Sequence, residues 1–391
     1  MFQSNFPRKI VFGEGSLEFL TTLDVRRVVL FVDEIFHQYN PKVISRIEEI
    51  WKEKKTDFWL YYGEGTEPTL AFVKESAKKL QEHQPDLIVA VGGGSVLDAA
   101  KVMEVYYEHP EISDAALMNR FNLPPLRRKS KFVAIPTTSG TGSEVTPISV
   151  LYVPSDNPQS PMVKKGITDY QMIPDYVILD PQFTLSMPES VTISTGLDAF
   201  VHSLEAFVCN KPKNDFGDKF ALESMKKVLT YLPKVLESPQ NKAYRAELQL
   251  AATMGGLALA NRASGAAHGS GKQLSSLRTI AHGTSVAIMV DAVIRCNAKV
   301  RLADYAEIAR YLGVHAETDE EALEGLLSLW NGLLDTLDFP RTIADLGIDE
   351  KIFQEKLDTI TRNAMNDAAM KANPIALTYD EVQGLFKSLL P

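Results

Sequence analysis

The sequence predicts an α/β N-terminal half built on a parallel sheet, followed by an all-α C-terminal half. Two observations carry this. In the first half, short β-branched runs alternate with helical patterns, the order that yields parallel strands with helices on the sheet faces. Beyond about residue 185 the helical period dominates and strand-like runs almost vanish. The expected domains are therefore 1–185 and 186–391.

The elements follow in order. RVVLFVD (Arg27–Asp33) reads as a buried strand, Ile44–Lys55 as helix and TDFWLYYG as a second strand. TLAFVKESAKKLQEH is amphipathic helix, DLIVAVGGGS a strand and glycine turn, VLDAAKVMEVYY helix, and KFVAIPTT strand. VPSDNPQSP (Val153–Pro161) has the composition of a loop. In SMPESVT, Ser186 and Glu189 stand three apart, the spacing of a capping box at a helix start. No internal repeat or low-complexity segment interrupts the chain.

Composition narrows the functional classes. The 391 residues suffice for two ordinary domains, and 45% hydrophobic with 23% charged residues is a globular profile. Net charge is −9 and no basic run stands out, so nucleic acid and anionic membrane surfaces are not expected partners. Two cysteines, Cys209 and Cys296, build no disulfide framework and fit a reducing cytoplasm. The N-terminus lacks the apolar core of a signal peptide, and no run of 18 apolar residues predicts a membrane span.

Two loops in the first half suggest an anion or dinucleotide. Gly92, Gly93 and Gly94 follow an apolar strand and open a helix, with Asp98 and Lys101 on its first turns. Glycines allow close backbone approach, and the helix presents its positive end to the same point. A tight strand-to-helix connection would look the same. PTTSGTGSE (Pro136–Glu144) also follows a strand and carries five hydroxyls and two glycines between Thr137 and Ser143. Two such loops on one sheet favour a dinucleotide at the strands' C-terminal ends. Asp33 closes the first strand, where an acid can bind an adenosine ribose and repel a 2′-phosphate, or simply cap the next helix. No G-x-G-x-x-G follows that strand.

The helical half holds a different cluster. In STGLDAFVHSLEAFV, Asp198 and His202 stand four apart on one face of an apolar helix. His268 and His282 lie among small residues fourteen apart. Three imidazoles and a carboxylate suit a first-row divalent ion such as Fe(II) or Zn(II). A core Asp–His hydrogen bond with two unrelated histidines is the alternative. His37, His83, His109 and His315 are expected at the surface, and Glu205, three after His202, is expected in a helix salt bridge, with orientation of the metal shell as the alternative.

Taken in order, KIVFGEGSLEFL, GEGTEPT, VGGGSVLDAAK, PTTSGTGSEVTP, IPDYVILDPQFTLSMPESVTISTGLDAFVHSLEAFV, the His268/His282 segment and NAMNDAAMKANP resemble the iron-containing (group III) alcohol dehydrogenases. That superfamily includes glycerol dehydrogenase and dehydroquinate synthase. The resemblance spans essentially the whole chain. It implies a nucleotide-binding α/β domain, an all-α metal-binding domain and an active site in the cleft between them. It further implies one divalent metal, Fe2+ first and Zn2+ as the alternative, held by Asp198, His202, His268 and His282. It assigns Gly92, Gly93, Gly94 and Ser95 to the diphosphate of NAD(H). Asp98, Thr137, Thr138, Ser139, Thr141 and Ser143 would lie along the cofactor, with Asp33 as the acid that disfavours NADP. A homodimer and a small aldehyde or alcohol substrate follow from the same resemblance.

The sequence departs from that family at one informative place. Where members handling simple alcohols often carry a histidine four residues after the third ligand, this chain has Lys272. Arg262 and Arg278 flank the same segment. These cations are read in three ways: as a clamp for an anionic aldehyde such as sulfoacetaldehyde or phosphonoacetaldehyde, with Lys272 as proton donor, or as exposed residues and partners of structural acids such as Glu205. The expected activity is metal- and NAD-dependent reduction of a short aldehyde. An anionic-aldehyde reductase is the alternative, and a cyclase of the dehydroquinate synthase type the remote one.

Overall fold

The computed structural model describes residues 3–63, 67–155 and 162–391. Two compact units emerge. The sheet unit comprises Asn5–Met187 and Gln240–Thr253; the helical unit comprises the remaining segments, Met1–Ser4, Pro188–Pro239 and Met254–Pro391. The units are thus not contiguous in sequence. Residues 64–66 of the GEGTEPT motif and residues 156–161 of the Val153–Pro161 loop lie outside the described residues; Val153 and Pro154 close a strand.

In the sheet unit the strands are β1 (Lys9–Phe12), β2 (Arg27–Asp33), β3 (Asp57–Gly63), β4 (Leu87–Gly92), β5 (Lys131–Pro136), β6 (Ile148–Pro154), β7 (Met162–Thr168) and β8 (Tyr176–Leu179). The helices are α1 (Glu34–Tyr39), α2 (Pro41–Glu53), α3 (Leu70–His83), α4 (Gly94–Glu108) and α5 (Asp114–Leu117). Six strands form one sheet in the order β1-β8-β5-β4-β2-β3, with β6 and β7 a separate antiparallel pair. Every pairing in the large sheet is parallel.

Strand periodicity builds the core. Val28, Leu30 and Val32 of β2, Leu87, Val89 and Val91 of β4, and Val133 and Ile135 of β5 face one side. There they bury Ile44, Ile47, Ile50 and Trp51 of α2. Val29, Phe31, Ile88, Ala90, Phe132 and Ala134 face the other, against Val73, Ala77 and Leu80 of α3 and Val96 and Leu97 of α4. Successive residues point to opposite faces, so both faces of the central strands must be apolar. This is why RVVLFVD and DLIVAV are continuous apolar runs.

The chain leaves β2 toward one face and β4 toward the other, although β2 and β4 are neighbours. That divergence is a topological switch point, the place where open α/β sheets bind ligands. Asp33 ends β2 and the glycine turn ends β4, so both reach the same crevice.

Four strands, β1, β6, β7 and β8, escape sequence reading. β1 and β8 have only four residues each, too few to show a period. In β7, MVKKGIT, five of seven residues are exposed or half-buried, so apolar alternation is missing.

The helical unit contains α6 (Glu189–Val208), α7 (Asp215–Glu237), the C-terminal part of α8 (Lys242–Asn261), α9 (Ala266–Leu274), α10 (His282–Ala287), α11 (Val290–Tyr311), α12 (Asp319–Thr336), α13 (Glu350–Asn366) and α14 (Tyr379–Lys387). No described helix is long and apolar enough to cross a membrane. The N-terminal part of α8 belongs to the sheet unit: Gln249 Nε2 donates to the Pro136 carbonyl (3.4 Å) and Thr253 Oγ1 to Glu144 Oε1 (2.7 Å).

The expected capping box at Ser186 does not form. Helix α6 begins at Glu189 with Pro188 in the cap position and no side-chain cap. Proline disfavours helical geometry in the residue before it, so the helix cannot start as early as Ser186 requires. Ser186 Oγ instead accepts from Asn40 Nδ2 at 2.7 Å.

Candidate metal centre and cofactor loops

The predicted metal residues come from three helices pressed together. Asp198 and His202 lie on α6, His268 on α9, and His282 opens α10. Glycine makes these contacts possible. A Cβ on Gly283 would overlap the Ser194 carbonyl of α6, and one on Gly271 of α9 would overlap the Ser285 carbonyl of α10. Thr284 N also donates to Ser194 Oγ at 3.2 Å. Backbone cannot yield as a flexible side chain can, so Gly283→Ala must push α10 away from α6. We expect at least about 2 kcal/mol of destabilisation, together with loss of metal-induced thermal stabilisation. Thermal unfolding with and without Fe(II) checks both.

At the centre, one oxygen faces three imidazoles. Asp198 Oδ1 lies 3.4 Å from His268 Nε2, 3.8 Å from His282 Nε2 and 3.9 Å from His202 Nε2. Asp198, His268 and His282 offer ligand atoms all within 4.8 Å of one another. His202 is not in that trio; its ring stacks on His268, with centroids 4.5 Å apart and planes 17° from parallel. Donors about 2.1 Å from a first-row ion are about 3.4 Å apart in a tetrahedron, so the spacing suits such an ion.

Asp198 Oδ1 and His268 Nε2 are buried and make no hydrogen bond among the described residues. Leaving such groups without a partner is costly, and a cation would satisfy both. Burial would raise the Asp198 carboxyl, but the imidazoles of His202, His282 and His268 outweigh it and hold the group well below the usual carboxylate range. For His268, burial acts to lower the pKa; Glu205 and Asp198 overcome it and raise it to about 9. The His282 side chain is 39% exposed, which leaves an open side where a substrate could approach.

Glu205 does not take the helix salt bridge. Among the described residues it forms no lysine or arginine pair along its helix; it contacts the segment that carries His268. Its carboxylate accepts from His268 Nδ1 (2.6 Å), Gly265 N (2.8 Å) and Ala267 N (2.6 Å). The signal was in the sequence: Asp198, His202 and Glu205 occupy i, i+4 and i+7, one polar stripe on an apolar helix.

The three cations have partners of their own. Arg262 is buried and spends its guanidinium on the carbonyls of Ala206, Phe207, Lys211 and Pro212, beside Asp218. Exposed Arg278 donates to the Gly347 carbonyl at 2.5 Å. Lys272 sits one turn beyond His268 on α9 and pairs with Asp367 Oδ2 at 2.7 Å. Each thus has a separate partner. Spacing alone could not show this, because the acceptors are mostly backbone carbonyls.

In the sheet unit, the two expected cofactor loops meet. Gly92 and Pro136 are register partners, and Thr137 N donates to the Gly92 carbonyl at 3.0 Å. A Cβ on Gly93 would lie 3.3 Å from Thr138 Cγ2, and one on Gly94 2.9 Å from Thr141 Cγ2. Gly94 and Ser95 begin α4, whose first N–H groups have no acceptor within the helix. Ser139 Oγ is buried with no hydrogen bond among the described residues.

Asp98 and Ser143 act inside the scaffold. Asp98 accepts from Ser143 Oγ (2.5 Å) and Val150 N (2.7 Å). Fully buried Lys101 donates to Ser143 Oγ (2.8 Å) and the Ile148 carbonyl (2.7 Å). Burial lowers the Lys101 pKa to about 8, with Asp98 opposing. These residues brace α4 against the second loop. Asp33 caps α1, accepting from Phe36 N at 3.0 Å.

Comparison with known proteins agrees with this geometry. Residues 7–181 match the model of the iron-containing alcohol dehydrogenases, and residues 192–390 that of the C-terminal part of the same family. An NADPH-dependent butanol dehydrogenase of Clostridium saccharobutylicum is 33% identical, over 99% of this chain and 97% of its own. An alcohol dehydrogenase of Thermococcus barophilus is 32% identical over 97% of both chains. The solved iron-containing alcohol dehydrogenase of Thermococcus thioreducens superposes with a TM-score of 0.87 at 31% identity, covering 100% of this chain and 99% of its own. With both halves matched and a group at Asp198, His268 and His282 that could hold a metal ion, the chain belongs to the iron-containing alcohol dehydrogenase family and is an oxidoreductase acting on CH–OH groups.

Proposed function

We propose that the protein is an NAD(H)-dependent reductase of short, uncharged aldehydes that also runs as the alcohol dehydrogenase, working as a cytoplasmic homodimer. The observation that carries the reading is the convergence of three imidazole nitrogens on the buried Asp198 oxygen. Asp198, His202, His268 and His282 hold one divalent metal, Fe2+ first and Zn2+ as the alternative. When bound, the metal supplies Lewis-acid polarisation of an aldehyde oxygen and the dinucleotide supplies the hydride.

The chain's own residues do the rest. Asp198 brings one negative charge to a dication, so the centre keeps net positive charge toward the substrate. The α4 N-terminus with Gly92–Ser95 receives the diphosphate, and Thr137, Thr138, Ser139 and Thr141 line the cofactor. Asp98 and Ser143 keep that loop in place. Asp33 disfavours the 2′-phosphate of NADP, unlike the relative named for NADPH. Lys272, held by Asp367 and 36% exposed, handles the proton. An uncharged substrate is favoured because Arg262, Arg278 and Lys272 are committed to separate partners.

The test is the initial rate of NADH oxidation by Fe(II)-loaded enzyme. We expect kcat/KM for propionaldehyde to equal or exceed that for sulfoacetaldehyde, and NADH to exceed NADPH. A tenfold preference for the anion, about 1.4 kcal/mol of transition-state discrimination, would replace the uncharged substrate by the anionic one. Turnover of a substrate without net change in NADH would point to the cyclase.

A further inference from the structure

We propose that Glu205 is a positioning residue of the metal centre: its carboxylate fixes the tautomer and ring orientation of His268, so that Nε2 faces Asp198. The proposal rests on the reading above that His268 is a metal ligand.

Glu205 is 3% exposed. Oε1 accepts from Ala267 N (2.6 Å) and His268 N (3.4 Å); Oε2 faces Gly265 N (2.8 Å) and His268 Nδ1 (2.6 Å). Three of the four partners are backbone N–H groups, which can only donate. A proton on either oxygen would confront an N–H, so the group is a carboxylate that accepts throughout. Nδ1 of His268 must therefore carry a hydrogen. In the neutral ring the lone pair is then left on Nε2, which lies 3.4 Å from Asp198 Oδ1 and makes no hydrogen bond of its own among the described residues.

The same carboxylate also caps α9. Gly265 is the cap residue, and Ala267 and His268 occupy the second and third helical positions. Those N–H groups have no intrahelical acceptor, and negative charge at a helix N-terminus is favourable. A Cβ on Gly265 would stand 3.1 Å from Glu205 Oε1, so glycine leaves room for the carboxylate. One side chain thus sets both the helix that carries the ligand and the rotation of the ligand's ring. Only a carboxylate serves: Glu205→Gln keeps the shape but turns an NH2 toward N–H donors. Outer-shell carboxylates of this kind raise ligand basicity and metal affinity.

The test uses the full chain, stripped of metal and titrated with Co(II) alone. Affinity is read by calorimetry and site geometry by the visible spectrum. We expect Glu205→Gln to weaken Co(II) binding by about 10- to 100-fold and to alter the spectrum. Asn373→Ala is the control. It removes the side chain that accepts from Ala266 N at 3.2 Å without touching the His268 ring, and should leave Co(II) affinity unchanged. An equal loss in both variants would mean general loosening of the turn and would overturn the proposal. So would wild-type and Glu205→Gln proteins that bind alike. A wild type that binds no Co(II) would instead overturn the metal centre itself. Should Glu205→Gln not fold, nitrogen-15 spectra of Zn(II)-loaded wild type decide: a proton on His268 Nδ1 supports the proposal, and metal on Nδ1 refutes it.

Discussion

Asp198→Ala is expected to lose most metal binding and, with it, turnover. The carboxylate is the only anionic member of the cluster, and its Oδ1 is the atom on which the three Nε2 atoms converge. Removing it takes away a ligand and the charge that offsets a buried dication, and burying uncompensated charge is heavily penalised. We expect metal affinity to fall by at least about 100-fold, beyond the roughly 10- to 100-fold that outer-shell changes cause. The cleanest measurement is thermal. A ligand at about 1,000 times its Kd stabilises the folded state by about 4 kcal/mol, so wild type should gain a clear Tm shift with Fe(II). The variant should show none. A retained shift would place the metal elsewhere.

The second large effect is on stability rather than chemistry. Arg262→Ala should cost about 3 kcal/mol or more. The guanidinium lies in the interior, its side chain 1% exposed. It binds the last carbonyls of α6, Ala206 O at 2.9 Å and Phe207 O at 3.0 Å, together with Lys211 O at 2.9 Å and the Pro212 carbonyl. A cation there complements the negative end of the helix that carries Asp198 and His202. Its loss strands several carbonyls and leaves Asp218, 3.3 Å away, without its cation. Arg262→Lys should also destabilise, because an ammonium cannot reproduce the planar fork. Thermal or urea unfolding of the metal-free protein reads the cost. The ratio of kcat/KM values for sulfoacetaldehyde and propionaldehyde should not move. A selective loss of the anionic substrate, with stability intact, would return Arg262 to the substrate.

Much of the architecture was determined by the sequence alone. The apolar runs of β2, β4 and β5 could be read because a doubly covered parallel strand needs apolar residues at every position, and that need is local. The Asp198–His202 pair stood out for a similar reason: an acid and an imidazole four apart on an apolar helix carry a cost that demands a partner. Short or exposed strands such as β1, β7 and β8 carry no such local demand and stayed hidden.

Tertiary structure decided which polar groups serve chemistry and which serve packing. Arg262, Arg278 and Lys272 looked alike as cations near a ligand segment, yet their acceptors lie up to 95 positions away, at Asp367 for Lys272, and no spacing rule reaches them. Asp98 sat where a cofactor could use it, but its oxygens hold Ser143 and Val150. Glu205 was open between a helix ion pair and the metal shell, and it faces His268 sixty-three positions on. The physical reason is common to all of them. Helical and strand periods are set by neighbours in the chain, whereas the partner of a buried charge is set by whichever backbone or side chain the fold brings to it.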